Sequence, residues 1–226
     1  MLRNAIALIV ILFLGLSYSH GQSMTGMDLK DHMLIKLAKD SDHGVSDFEG
    51  SPLLSEQFVG GQVFSSGKKF TDVSLRYNIF NDQMEFRQKE VTYALYPEPR
   101  ISKIILGAET YVVEKYEIKG KMTYGYLARI DSGKLTVFSK KVVRFTEAQE
   151  AKALESSGKP AKFTRAADVY YYKIGNGEVS KLGSLKNLIE SLPDKQNEVA
   201  GYAKDERLSV KSETELKKLA TYYNSL

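Results

Sequence analysis

The sequence predicts an α+β fold: a mainly antiparallel sheet, a short N-terminal helix, and C-terminal helices that pack on the sheet. Three observations support this class. Apolar residues alternate with polar ones through 57–182, the period of half-buried strands. Short turns rich in Gly, Asn and Asp separate these runs, which leaves no room for the crossovers that parallel strands require. Apolar residues in 183–226 follow helical spacing instead.

The clearest strand signal is a β-hairpin. Val73, Leu75 and Tyr77 alternate with polar residues, Asn81-Asp82 supplies a turn, and alternation resumes at Met84. Pro97 ends the next strand, because proline cannot donate to a sheet ladder. The further predicted strands are 91–96, 101–106, 109–118, 122–131, 135–145, 169–174 and 178–182.

Helices are predicted before, within and after the strands. A short helix over 29–38 has Asp28 as its cap, and helix formers dominate 146–156. Ser184 caps a helix that Pro193 ends, and a less apolar segment covers 195–205. The last helix is predicted from a capping box, Ser212 with Glu215, and from a buried stripe of Leu216, Leu219, Ala220 and Tyr223.

The N-terminus has the layout of a secretory signal peptide. Arg3 precedes an apolar run over 5–16, and a small, polar stretch follows over 17–22. The run is shorter than the roughly 20 residues that cross a bilayer. Small residues favour cleavage between Gly21 and Gln22, and cleavage after Ser19 is the alternative. We therefore expect an exported protein, periplasmic or extracellular, soluble or peripherally attached, with no transmembrane segment after signal removal.

The predicted organisation has four parts. They are the signal peptide over 1–21, a polar lead-in with the short helix over 22–56, a β-rich domain over 57–182 and a helical segment over 183–226. The chain of 226 residues has no cysteine, which excludes thiol chemistry, lipoprotein anchoring through cysteine and disulfides. A cysteine-free exported chain points towards a bacterial envelope.

Charge argues against a nucleic-acid partner. The formal net charge is only +4, and Lys and Glu are interspersed. The basic clusters at Lys140-Lys141 and over 159–165 are interpreted as solvated surface. A nucleic-acid binder usually shows a concentrated basic face.

Motifs for catalysis are scarce. His32 and His43 lie outside the predicted sheet, so neither favours a serine triad, and the nucleophile elbow and phosphate-binding glycine motifs are absent. No cofactor is expected. Asp40, Asp42 and His43 are weak metal candidates, because glycine stands at position 44, where a calcium loop needs a ligand. Paired carboxylates for glycoside hydrolysis remain open, since only their spatial separation matters.

The one candidate binding patch lies on the hairpin. Arg76, Asn78 and Glu85 share its polar face, opposite Val73 and Leu75. One interpretation is a polar recognition patch. The other is an arginine–carboxylate cross-strand pair beside a turn.

The same hairpin carries a family resemblance. Gly50-Ser51-Pro52-Leu53-Leu54, followed by Leu75-Arg76-Tyr77-Asn78 and Met84-Glu85-Phe86, resembles a group of uncharacterised exported proteins of Bacteroidota. The resemblance extends loosely through 159–163 to Tyr222-Tyr223-Asn224. It implies a periplasmic or secreted bacterial protein and assigns no catalytic residue.

Three functions are weighed. The first is a non-enzymatic binding, assembly or scaffold module whose partner is an envelope protein or a glycan. The second is a carboxylate-based hydrolase of polysaccharide or cell-wall material, which needs two carboxyl groups about 5 to 10 Å apart across a cleft. The third is a periplasmic lipid carrier, which needs an apolar cavity beneath the helices.

Overall fold

A computed structural model describes residues 23–25, 29, 36–37, 48–150 and 158–226. Within these residues, thirteen strands join into one sheet and three helices follow near the C-terminus. The predicted α+β class is confirmed. No helix in the described part of the chain is long and apolar enough to cross a membrane.

The strands are β1 (Ser23–Thr25), β2 (Lys36–Leu37), β3 (Phe48–Glu49), β4 (Val59–Ser65), β5 (Lys68–Asn78), β6 (Gln83–Gln88), β7 (Val91–Leu95), β8 (Ile101–Leu106), β9 (Glu109–Ile118), β10 (Lys121–Asp131), β11 (Leu135–Thr146), β12 (Ala161–Ile174) and β13 (Ser180–Lys181). The helices are α1 (Leu185–Ser191), α2 (Gln196–Asp205) and α3 (Glu213–Ser225).

The sheet runs in the order β13-β12-β11-β10-β9-β8-β4-β5-β6-β7-β2, and every neighbouring pair on this path is antiparallel. The chain-order break lies between β4 and β8, since β8 pairs with β4 rather than with β7. The lead-in adds two parallel pairs, β1 with β5 and β3 with β12.

The β5–β6 hairpin forms as predicted. Its register places Arg76 opposite Glu85. Asp82 has a positive φ of 53°, a left-handed conformation that the short polar side chains of Asp and Asn tolerate. The side chain of Asn78 accepts a hydrogen bond from the amide of Asn81 at 3.1 Å, which fixes the turn.

Strands β9–β13 curl into a half-barrel. Tyr116 of β9 and Tyr171 of β12 are separated by two strands along the sheet, yet their ring centroids lie 4.8 Å apart. Glu114 and Lys173, also on β9 and β12, form a 2.5 Å ion pair. Phe138 and Leu127 pack with the two tyrosines, so aromatic and aliphatic side chains fill the concave interior.

The helices cover the other face of the half-barrel. Leu188, Leu216 and Leu219 pack against Leu135 and Val137 of β11 in one buried cluster. Asn224 near the end of α3 clamps this contact. Its amide donates to the carbonyl of Leu135 at 2.9 Å and accepts from the Leu135 amide at 2.8 Å.

A separate core lies under β4–β8. Buried residues of these strands, among them Phe70, Leu75 and Phe86, pack against Tyr111 of β9 and Tyr126 of β10. The hydroxyl of Tyr126 donates to the carbonyl oxygens of Leu95 and Tyr96 at 3.2 and 3.3 Å. The β4–β7 half therefore folds over the start of the half-barrel, which brings the β5–β6 turn next to β10 and β11.

Several element predictions need correction. The helix over 146–156 does not begin at Thr146, which ends β11, and Gln149 pairs with Lys159 in a β-bridge. Residues 151–157 lie outside the described residues. The predicted helix over 29–38 also lies mostly outside them, and Lys36–Leu37 within it form β2.

The capping box of α3 does not form. Ser212 occupies the N-cap without a side-chain hydrogen bond. Glu215 accepts instead from the amide of Ser209 at 3.0 Å and from its hydroxyl at 2.5 Å. By contrast, Ser184 caps α1 as predicted, accepting from the Asn187 amide at 3.1 Å.

Candidate functional site

The predicted polar patch is assembled but buried. Arg76 donates to Glu85 at 2.6 Å, and Asn78 donates to the other carboxylate oxygen at 3.0 Å. Glu85 is 3% exposed and Asn78 is fully buried. Both oxygens of the carboxylate are thus engaged within the protein, so the geometry is that of a cross-strand structural pair.

This pair extends to the segment before β4. Phe58 lies between two guanidinium groups, 4.4 Å from Arg76 and 4.1 Å from Arg87, measured to its ring centroid. Arg76 also donates to the carbonyl of Glu56 at 3.2 Å. Cation–π contacts of this kind contribute about 0.5–1 kcal/mol each at exposed sites. The patch holds 56–58 against the hairpin.

A second polar centre surrounds Lys140 of β11. Its ammonium lies 2.6 Å from Asp82 and 3.1 Å from both the hydroxyl of Tyr77 and the carbonyl of Tyr126. Tyr77 in turn donates to Asp82 at 2.6 Å. Burial lowers the pKa of Lys140, and the charge of Asp82 opposes that shift. Asp82 also accepts a hydrogen bond from the main-chain amide of Tyr126 at 3.3 Å. Tyr126 lies outside the part of β10 that pairs with β11, so the carboxylate of Asp82 replaces a strand partner there.

Tyr116 and Gly125 lie directly beside the Lys140 centre. A Cβ built at Gly125 would overlap the hydroxyl of Tyr116 and one carboxylate oxygen of Asp82, so only glycine fits there. The Tyr116 hydroxyl is buried and has no hydrogen-bond partner in the described structure. Burial raises its pKa, with Asp82 adding to the effect. The ammonium of Lys140 is already held by Asp82 and Tyr77, so the arrangement is that of a structural ion pair.

A third polar centre surrounds Lys141, on the opposite face of β11. Its ammonium lies 2.9 Å from Glu109, 3.1 Å from Asp168 and 3.8 Å from Glu213. Burial favours a lower pKa for Lys141, but hydrogen bonds and charge from Glu109 and Asp168 outweigh it and raise the pKa. Tyr111 donates to Glu109, and Arg165 pairs with Asp168 at 3.0 Å.

The Lys141 centre does not have the geometry of a glycosidase. The two oxygens of Glu109 and Asp168 that contact Lys141 lie at most 6.0 Å apart, because both contact the same ammonium. The ammonium occupies the space between them, where a scissile bond would have to lie.

These two centres correct the interpretation of Lys140-Lys141 as solvated surface. The side chains are only 12% and 10% exposed. Consecutive strand residues point to opposite faces, so a Lys-Lys pair within a predicted strand must aim one ammonium inwards. That signal was available in the sequence. The identity of the carboxylate partners could not be predicted, because Asp82 follows β5 and Glu109 begins β9, and neither of these strands pairs with β11.

Metal binding has no support in the described residues, where no group of three suitable side chains meets. The weak candidates Asp40, Asp42 and His43 lie outside the described residues.

A surface pocket lies at the mouth of the half-barrel. We call it the barrel-mouth pocket; its volume is about 500 Å³, and it is lined by Glu117, Ile118, Lys119, Met122, Val169, Tyr171, Glu178, Val179, Ser180 and Lys181. Ile118 and Met122, at the β9–β10 turn, are 38% and 44% exposed. Tyr171 forms part of the wall, with Tyr116 packed behind it. The rim carries two acidic and two basic residues, so the pocket has no net charge preference.

Comparison of the chain with protein-family models, with curated proteins and with solved structures gives no match.

Proposed function

We propose that this protein is an exported, non-enzymatic binding module of the bacterial envelope that engages a partner protein through the barrel-mouth pocket. The observation that carries the proposal is the pocket itself. Its volume lies within the range of ligand sites. Its lining combines four charged residues and Ser180 with five apolar or aromatic residues, a mixture that suits a protein surface better than a small apolar ligand. Exposed Ile118 and Met122 add an apolar surface at its entrance.

The buried chemistry supports binding rather than turnover. Lys140, Lys141, Arg76 and Lys173 each hold a carboxylate in an ion pair within the protein, and these pairs are partly or largely buried. A carboxylate-based hydrolase remains the second candidate, but Glu109 and Asp168 do not favour it, because both contact the ammonium of Lys141. Lipid carriage inside the half-barrel is not favoured, since Tyr116, Phe138 and Tyr171 fill that interior.

Export rests on the N-terminal layout and is tested on the native protein. Mass spectrometry of the purified polypeptide should find Gln22 as its first residue, or His20 if cleavage follows Ser19. A polypeptide that begins at Met1 and fractionates with cytosolic markers would overturn the export proposal. The outcome would leave the pocket itself unaffected.

Binding is tested by affinity capture from envelope extracts with matched variants. Met122→Glu places a charge at the pocket entrance, and Val91→Glu places one at a comparably exposed site on β7. A specific partner recovered by the wild type and by Val91→Glu, but lost with Met122→Glu, supports the proposal. Equal recovery by both variants contradicts it. Glycan hydrolysis that Asp168→Asn abolishes would favour the hydrolase.

A further inference from the structure

A second cavity lies between α1 and α2, and it shares no lining residue with the barrel-mouth pocket. Its volume is about 530 Å³. The apolar lining consists of Leu185 and Ile189 from α1, Ala200 and Ala203 from α2, and Leu208 after α2. Two alanines on α2 leave space that larger side chains would fill. We call this cavity the helix groove.

The charges at the helix groove are unbalanced. Lys186 and Glu190 of α1 form a long ion pair of 3.7 Å. Lys204 and Arg207 line the same groove, and neither forms an ion pair with the described residues. Both stand at the C-terminal end of α2, so two uncompensated cations flank one end of an apolar trough.

Arg207 occupies a position that favours glycine. The chain leaves α2 in a Schellman motif, in which the amide of Leu208 donates to the carbonyl of Ala203 at 2.8 Å and the amide of Arg207 donates to that of Lys204 at 3.1 Å. Arg207 has the left-handed φ of 54° that this motif needs. A side chain is strained there, and Arg207 nevertheless lines the groove.

We propose that the helix groove binds a single-chain anionic lipid. The acyl chain lies along the apolar lining, and the acidic headgroup lies beside Lys204 and Arg207. The two cations favour a negatively charged headgroup, and the apolar lining favours a hydrocarbon chain. A docked acidic helix is disfavoured, because α1 has only seven residues and is about 10 Å long, which is short for the i, i+3, i+4, i+7 contacts of such helices. This inference does not depend on the barrel-mouth pocket.

The test uses the full purified chain with dodecanoate as the probe and dodecan-1-ol as the neutral match. Calorimetric titration should show saturable binding of dodecanoate and much weaker binding of the alcohol. Amide NMR shifts should concentrate at Ile189 and Ala200. Arg207→Gly should weaken dodecanoate binding about fivefold, the upper range for one exposed ion pair. Arg207→Gly should also raise the melting temperature, because glycine adopts the left-handed φ of residue 207 without strain. Weaker binding by a more stable protein cannot be attributed to unfolding.

The remaining variants sharpen the test. Lys211→Gln removes an exposed cation outside the groove and should leave binding unchanged, whereas Ala200→Leu fills the groove and should abolish it. Three results would overturn the proposal: equal affinity for the alcohol, wild-type affinity in Arg207→Gly, or shifts confined to the barrel-mouth pocket. Displacement of dodecanoate by an acidic amphipathic peptide at lower concentration would also overturn it, in favour of a protein occupant.

Discussion

Lys140 and Lys141 follow one another in β11 and emerge on opposite faces of the sheet, and carboxylates hold both ammonium groups. Lys140 connects β11 to the β5–β6 turn through Asp82, whereas Lys141 connects it to β9 and β12 through Glu109 and Asp168. One dipeptide thus anchors both halves of the sheet.

Loss of Lys140 should destabilise the fold strongly. Lys140→Met leaves Asp82 without its cation, and removing one partner of a buried ion pair typically costs about 3–5 kcal/mol. The double variant Lys140→Met with Asp82→Asn should recover much of this loss, because asparagine also tolerates the left-handed φ of residue 82. Urea unfolding of the two variants and the wild type measures both values. Equal stability of single and double variants would show that the pair is not coupled.

Tyr116 and Gly125 should behave as a matched pair. Tyr116→Phe removes a hydroxyl that has no partner, so its cost should be small, within about 0.5 kcal/mol, or stability should rise. Gly125→Ala introduces the overlap with that hydroxyl and with Asp82, and overpacking costs about 1–3 kcal/mol. The double variant should be more stable than Gly125→Ala alone. Thermal unfolding of the three variants and the wild type measures these differences in stability. A large loss of stability in Tyr116→Phe would contradict the expectation and show that the hydroxyl makes a stabilising hydrogen bond.

Alkaline pH should unfold the protein cooperatively. Burial raises the pKa of Tyr77, Tyr111, Tyr116 and Tyr126 above the ordinary value of about 10. The stability that these four tyrosines contribute is fully present below pH 10. It is lost progressively as the pH rises above 10, because tyrosines of the unfolded chain then ionise while the buried ones stay protonated. The loss is about 1.4 kcal/mol per pH unit for each tyrosine.

Lys140 acts in the opposite direction. Its lowered pKa lets the folded state lose a proton that the unfolded chain keeps, so its contribution rises with pH. One lysine cannot offset four tyrosines. The chain has no tryptophan, so tyrosinate absorbance can be measured without its interference. This absorbance should therefore rise at the same pH at which the circular dichroism of the fold is lost. Ionisation of all 14 tyrosines with the fold intact would contradict this expectation.

Loss of the Asn224 clamp should loosen α3. Asn224→Leu leaves the amide and carbonyl of Leu135 without these partners, at a cost of about 1–3 kcal/mol. Amide hydrogen exchange should increase across α3 more than across α1. Ser225→Ala is the matched control, since its hydroxyl is exposed and bonds only within its own helix turn. Unchanged exchange in Asn224→Leu would assign the docking of α3 to apolar packing alone.

The parts of the fold predicted from sequence depend on local signals. The β5–β6 hairpin was predictable because strict alternation flanks a turn dipeptide, and α1 because a serine cap precedes a regular apolar stripe. The first half of β12 was missed because Lys162, Thr164 and Arg165 are exposed and interrupt the apolar pattern. The capping box failed because Ser209, outside the helix, captured the carboxylate of Glu215.

The sites divide in the same way. Arg76, Asn78 and Glu85 could be grouped from sequence, since hairpin register places them side by side. The Lys140 centre and the barrel-mouth pocket could not be predicted, because they form between elements distant in the chain. They depend on how far the sheet curls, which no local pattern encodes.

The β4–β8 pairing has a consequence for the order of assembly. A polypeptide that emerges N-terminus first can complete the β4–β7 meander early, but the outer edge of β4 keeps unpaired main-chain groups until residue 101 and its successors arrive. During that interval the nascent chain presents a ready template for a stray strand. A holdase chaperone that shields 59–65 would protect this edge until β8 pairs with it.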